Sequence, residues 1–140
     1  MKIFIGILIF GLFFSASGFA ECTQKNRDQA TQTTIKSWDD AYHWFQFFKQ
    51  CVTNDAEIAE FMDDFVVRLF ANYWTHFQRF LDISKNTPSF QELMISHIGS
   101  TANLEDLNNV ARNAQRHCPK NALELCKSIA RKAIMATKEL

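Results

Sequence analysis

Downstream of residue 20 the chain has a single glycine, Gly99. Tight β-hairpin turns need residues that tolerate positive φ, usually Asn-Gly or Asp-Gly, and neither pair occurs. With only two prolines in the whole sequence, little interrupts helices. The expected fold class is therefore all-α. The other three glycines, Gly6, Gly11 and Gly18, lie in the first twenty residues. There Lys2 precedes an apolar run over residues 3–14 and a Gly18-Phe19-Ala20 ending. A positive start, a short apolar core and a small-x-small ending form a secretory signal peptide, expected to be cleaved after Ala20. The apolar run is too short to cross roughly 30 Å of hydrocarbon as a helix, so no stable membrane anchor is expected.

Residues 21–140 then form one domain of about 120 residues, long enough to bury its own core. Fifteen basic residues balance fifteen acidic ones, and loss of Lys2 with the signal leaves a net charge near −1. That balance argues against general binding to nucleic acid or anionic membrane. Export to the periplasm or beyond gives the four cysteines, Cys22, Cys51, Cys118 and Cys126, a structural meaning: two disulfides. Of the three possible pairings, Cys22–Cys51 and Cys118–Cys126 are favoured, because each closes a local loop worth roughly 2.5–4 kcal/mol. The second pair requires a helix to begin between its members, since residues eight apart in one helix lie about 12 Å apart.

Apolar spacing divides the domain into about five helices, a compact bundle or short stack. Residues 21–36 are polar and read as an extended arm held by Cys22. Ser37, with Asp40 three positions on, caps a first helix whose stripe is Trp38, Ala41, Tyr42, Phe45 and Phe48. A second and longest helix is expected over about residues 55–83, with Phe65, Leu69 and Tyr73 at its centre. A third begins at Pro88 behind Thr87 and stops at Gly99. A fourth opens at Thr101 or Asn103 with Leu104, Leu107, Val110, Ala111 and Ala114 inward. A fifth runs from about Asn121 to Thr137 with Leu123, Cys126, Ile129, Ala130, Ala133 and Ile134 inward.

Chemistry-bearing motifs are scarce. No Gly-x-Ser-x-Gly, His-Glu-x-x-His or glycine-rich phosphate loop occurs, and pairing leaves no cysteine as nucleophile. No catalytic residue, metal ligand or cofactor is assigned, and the chain is not expected to be an enzyme. His76 and His97 fall on apolar stripes and read as hydrogen-bonded core histidines. Glu57, Glu60 and Asp64 share a helix face that reads mainly as solvated. The first helix carries more large apolar groups than one inner face can hold. Trp44 or Phe47 is thus expected at the surface, beside the carboxylates of Glu57, Glu60 and Asp64, as a partner-binding patch.

The strings Ser37-Trp38-Asp39-Asp40-Ala41-Tyr42, Val66-Val67-Arg68-Leu69-Phe70, His97-Ile98, Cys118-Pro119 and Leu125-Cys126 together resemble a group of small exported bacterial proteins of unassigned function. The resemblance spans residues 37–126 and implies a periplasmic helical protein. Its motifs concern packing and disulfides, so it carries over no site. Size and compartment suit an immunity or inhibitor protein that contacts another protein. The alternative is a carrier holding a small apolar ligand among the aromatics, and a hydrolase comes third.

Overall fold

A computed structural model describes residues 22–140; the expected signal peptide and its cleavage site lie outside the described residues. All regular structure among the described residues is helical, in seven α-helices rather than about five, with two single-turn 3₁₀ segments. The two additional helices come from the N-terminal arm and from a break in the longest expected helix.

Helix α1, Gln24–Gln32, occupies the segment expected to be extended. Thr23 caps it, accepting from the Asn26 amide at 3.2 Å. Only Ala30 is buried on it, so it shows no apolar periodicity to read. Tertiary tethers hold it instead: the Cys22–Cys51 disulfide, with Cα atoms 5.1 Å apart, and Arg27 Nε to Asp55 Oδ2 at 2.5 Å.

Helix α2, Trp38–Val52, starts as expected, with Ser37 Oγ accepting from the Asp40 amide at 3.1 Å. The Asp40 carboxylate in turn accepts from the Lys36 amide at 3.0 Å. Helix α3, Ala56–Asn72, is capped by Asp55, and Phe65 and Leu69 are fully buried on it. It does not continue to residue 83. The backbone leaves helical geometry at Tyr73, turns once through Trp74–His76, and resumes as α4, Phe77–Asn86.

No glycine or proline marks that break. Asn113 Nδ2 donates to the Phe70 and Ala71 carbonyls at 3.1 and 2.9 Å, supplying partners for the exposed end of α3. Trp74 stacks on Phe77 at 4.3 Å and donates its indole N–H to the His117 carbonyl at 3.0 Å. Turning α4 back lets Phe70 and Phe80 close around Trp38, each ring 4.7 Å from it. A straight helix would have carried these apolar stripes past the core.

Helix α5, Pro88–Ser96, has proline in its first turn but no side-chain cap, since the Thr87 hydroxyl pairs with Tyr42 Oη at 3.1 Å. Gly99 is not its left-handed stop, because its φ is not positive. Its missing side chain serves a close approach: a Cβ there would lie 2.7 Å from Asp63 Oδ2.

Helices α6, Leu104–Arg116, and α7, Leu123–Thr137, pack as a hairpin closed by Cys118–Cys126, whose Cα atoms are 6.0 Å apart. The 3₁₀ turn Lys120–Ala122 between the two cysteines makes this pairing possible. Both disulfides match the pairing favoured on spacing. Helix α3 is central, against α1, α2 and α6, while α7 leans on α6. Leu104, Leu123 and Ile134, expected inside, are exposed instead.

Candidate functional site: a groove between the last two helices

The expected aromatic anchor is covered. Trp44 is 1 % exposed; its indole N–H donates to the Ala30 carbonyl at 3.0 Å, and its ring meets Phe65 at 5.2 Å. Helix α1 lies over it, which an extended arm would not have done. Phe47 does reach the surface, 57 % exposed, against His43 at 4.8 Å. Glu57, Glu60 and Asp64 are exposed on α3. Asp64 pairs with Arg68 at 2.6 Å, and Glu57 lies 3.8 Å from Arg27, so two of the three carboxylates already have a cation beside them. Without Trp44, the surface of α2 keeps one large exposed ring.

Two ion pairs brace the helices. Arg27 holds the Asp55 carboxyl below the usual carboxylate range by hydrogen bond and charge, and Asp55 raises the Arg27 guanidinium in return. Arg79 likewise donates to Asp39, at 2.5 Å and 3.0 Å from its Nη2 and Nε, and lowers that carboxyl.

Asp63, His97 and Thr101 form the densest polar cluster. Asp63 Oδ1 lies 2.6 Å from His97 Nδ1, and Thr101 Oγ1 donates to Asp63 Oδ2 at 2.6 Å. A carboxylate that fixes an imidazole is half of an acid–base device. The nearby Ser96 hydroxyl, however, donates to the Leu93 carbonyl at 2.8 Å. With both Asp63 oxygens engaged, the cluster clasps the loop after α5 onto α3. His97 is hydrogen-bonded and partly buried, as its position on an apolar stripe suggested, whereas His76, expected in the core as well, is exposed in the 3₁₀ turn with Thr75 Oγ1 at 3.1 Å from its ring. Among the described residues no group of three or more His, Cys, Asp or Glu side chains is placed to hold a metal ion.

The feature that sequence reasoning missed is a surface groove of about 660 Å³ along α6 and α7. Its apolar lining includes Ala114, Leu123, Ala130, Ile134 and Met135. Leu123 and Met135 are each 54 % exposed and Ile134 is 37 % exposed. Lys127, Arg131 and Lys138 also line it, and no carboxylate does. The inward face of α7 is Cys126, Ile129, Ala130, Ala133 and Ala136, all buried. The exposed groove residues Leu123, Ile134 and Met135 flank that face, so α7 is apolar over more of its girth than α6 covers. The available sequence signal was the crowding of Ile134 and Met135 beside a full inner stripe.

The aromatic interior is packed ring against ring. Trp38, Trp44, Phe65, Phe70, Phe77, Phe80 and Phe90 are all essentially inaccessible, with ring contacts such as Phe70–Phe80 at 5.2 Å. All four cysteines are paired. No helix among the described residues is long and apolar enough to cross a membrane. These features are consistent with a protein of an oxidising extracellular or periplasmic space. No known family model, curated protein or solved structure matches the chain.

Proposed function

We propose that this is an exported all-α binding protein, of the immunity or inhibitor kind, that contacts another protein through the α6–α7 groove. The observation that carries the reading is an open apolar groove on a molecule whose aromatic rings are buried against one another. Exposed large side chains gathered in a concavity favour docking, since partner side chains gain buried area there without unfolding anything. A carrier would be served by an enclosed apolar cavity of a few hundred Å³ among the aromatics, where close ring packing stands instead.

The test places a photo-crosslinking amino acid at Met135, in the cell that naturally makes the protein, with a control at exposed Gln32 on α1. A discrete protein adduct at Met135 and none at Gln32 supports the reading. Equal labelling at both positions, or a stoichiometric apolar molecule extracted from the native protein, overturns it.

A further inference from the structure

The cations of the groove say more about its occupant, on the footing that the groove is a docking surface. Lys127, Arg131 and Lys138 recur along one side of α7 among Leu123, Ile134 and Met135. Lys127 is engaged by Glu124 at 2.7 Å, and Glu124 lies outside the lining. Arg131 and Lys138 form no ion pair among the described residues. The groove therefore presents apolar area among three cations that share one nearby carboxylate, Glu124, which Lys127 binds and Arg131 acts on through charge, so positive charge remains in excess. We infer that its occupant is an amphipathic helix of a partner protein, apolar face down, with aspartate or glutamate along its edges.

A helix fits better than a strand for a structural reason. The walls are helices whose main-chain groups are already bonded along their length, so they offer no edge for an added strand. They offer side-chain ridges, and Leu123, Ala130 and Ile134 form one ridge at steps of seven and four. Helix α7 is 15 residues, about 22 Å, and accommodates about four turns of a partner helix.

Two other occupants fit less well. A lipid surface favours a convex amphipathic helix, whereas Ala114 and Gln115 of α6 make this surface concave. A second copy joined groove to groove by two-fold symmetry would bring two sets of Lys127, Arg131 and Lys138 into one interface whose lining has no carboxylate, a like-charge repulsion. An acidic partner removes that repulsion and is steered in by it.

The experiment repeats the Met135 crosslink in an Arg131→Glu, Lys138→Glu double variant and in an Arg131→Lys control, and maps the adduct by mass spectrometry. Both altered side chains are exposed, so circular dichroism and the melting temperature should match the parent. The expected result is an adduct on an Asp- or Glu-bearing helical segment of a different protein. Its yield should fall about tenfold in the double variant and persist in Arg131→Lys. An undiminished adduct in the double variant leaves the docking reading standing and overturns the acidic helix. A phospholipid adduct, or one joining two copies of this chain, also overturns it. No adduct at Met135 above the Gln32 control overturns both.

Discussion

Asp55 does two jobs at once: its Oδ1 caps α3 by accepting from the Ile58 amide at 3.2 Å, while its Oδ2 receives Arg27 of α1 at 2.5 Å. One carboxylate thus ties the start of the central helix to the helix that covers Trp44. Folding lowers the Asp55 pKa, chiefly through the Arg27 hydrogen bond. The ionised carboxylate therefore stabilises the fold above the ordinary carboxylate value, and that stabilisation is lost as pH falls through the lower folded value. The affected window lies below about pH 4. Arg27→Ala should move the acid-unfolding midpoint to higher pH. Asp55→Ala should cost more than Arg27→Ala in a urea melt at neutral pH, because it also removes the cap. Asp55→Asn keeps a capping oxygen while losing the charge, so a cost equal to that of Asp55→Ala would mean that the cap contributes nothing.

Trp44 gives the second prediction. Because it is buried under α1 with its N–H satisfied, Trp44→Ala should cost about 3–5 kcal/mol. Trp44→Phe keeps most of the ring but orphans the Ala30 carbonyl, and should cost about 1–2 kcal/mol. In hydrogen exchange the α1 amides should lose protection first in both variants. A neutral Trp44→Ala in a urea melt would show that α1 does not close over the ring.

The central helix and the groove make a paired prediction. Leu69→Ala should cost about 2–5 kcal/mol, since Leu69 is wholly buried at the centre of α3. Met135→Ala should stay within about 0.5 kcal/mol, because Met135 packs against little within the chain. A large loss at Met135 in the same melt would mean that it belongs to the core rather than to a docking surface.

The disulfides should contribute unequally. On loop length, Cys22–Cys51 with a separation of 29 is worth about 3.6 kcal/mol, and Cys118–Cys126 with a separation of 8 about 2.6 kcal/mol. Denatured, oxidised protein should show no reactive thiol. Paired Cys→Ser variants should rank in that order, with loss of the first pair also releasing α1.

How much of the fold the sequence discloses depends on where each signal resides. The all-helical class, the Ser37 cap and the cysteine pairing depend on local chemistry or short spacing, and the structure agrees with them. The break at Tyr73 depends on Asn113 and His117, about forty residues away, which satisfy or engage groups at the end of α3. No local window contains that information. Helix α1 is hidden for the same reason, since its tethers are Cys51 and Asp55 rather than an apolar stripe. With α1 read as an extended arm, nothing covers Trp44, and the ring is expected at the surface. On α7 the periodicity is real, but two adjacent stripes read as one. A helix with a single strong neighbour can bury only one of them, and the other, with Leu123 and Ile134, becomes the groove.

Gly99 offers a prediction whose sign depends on its neighbour. Its φ is not positive, so alanine there meets no backbone penalty and should stabilise by restricting the unfolded chain, by about 0.4–1 kcal/mol. The new Cβ would, however, lie 2.7 Å from Asp63 Oδ2. That oxygen is held in place by Thr101, and its carboxylate by His97, so it cannot swing aside without loosening both. Gly99→Ala in the parent should therefore destabilise by about 1–2 kcal/mol, as the clasp on α3 loosens. In an Asp63→Ala background the obstruction is gone, and the same substitution should become neutral or mildly stabilising. A double-mutant cycle from four urea melts measures the coupling directly. If Gly99→Ala has the same effect in both backgrounds, the loop after α5 is not held by its contact with Asp63.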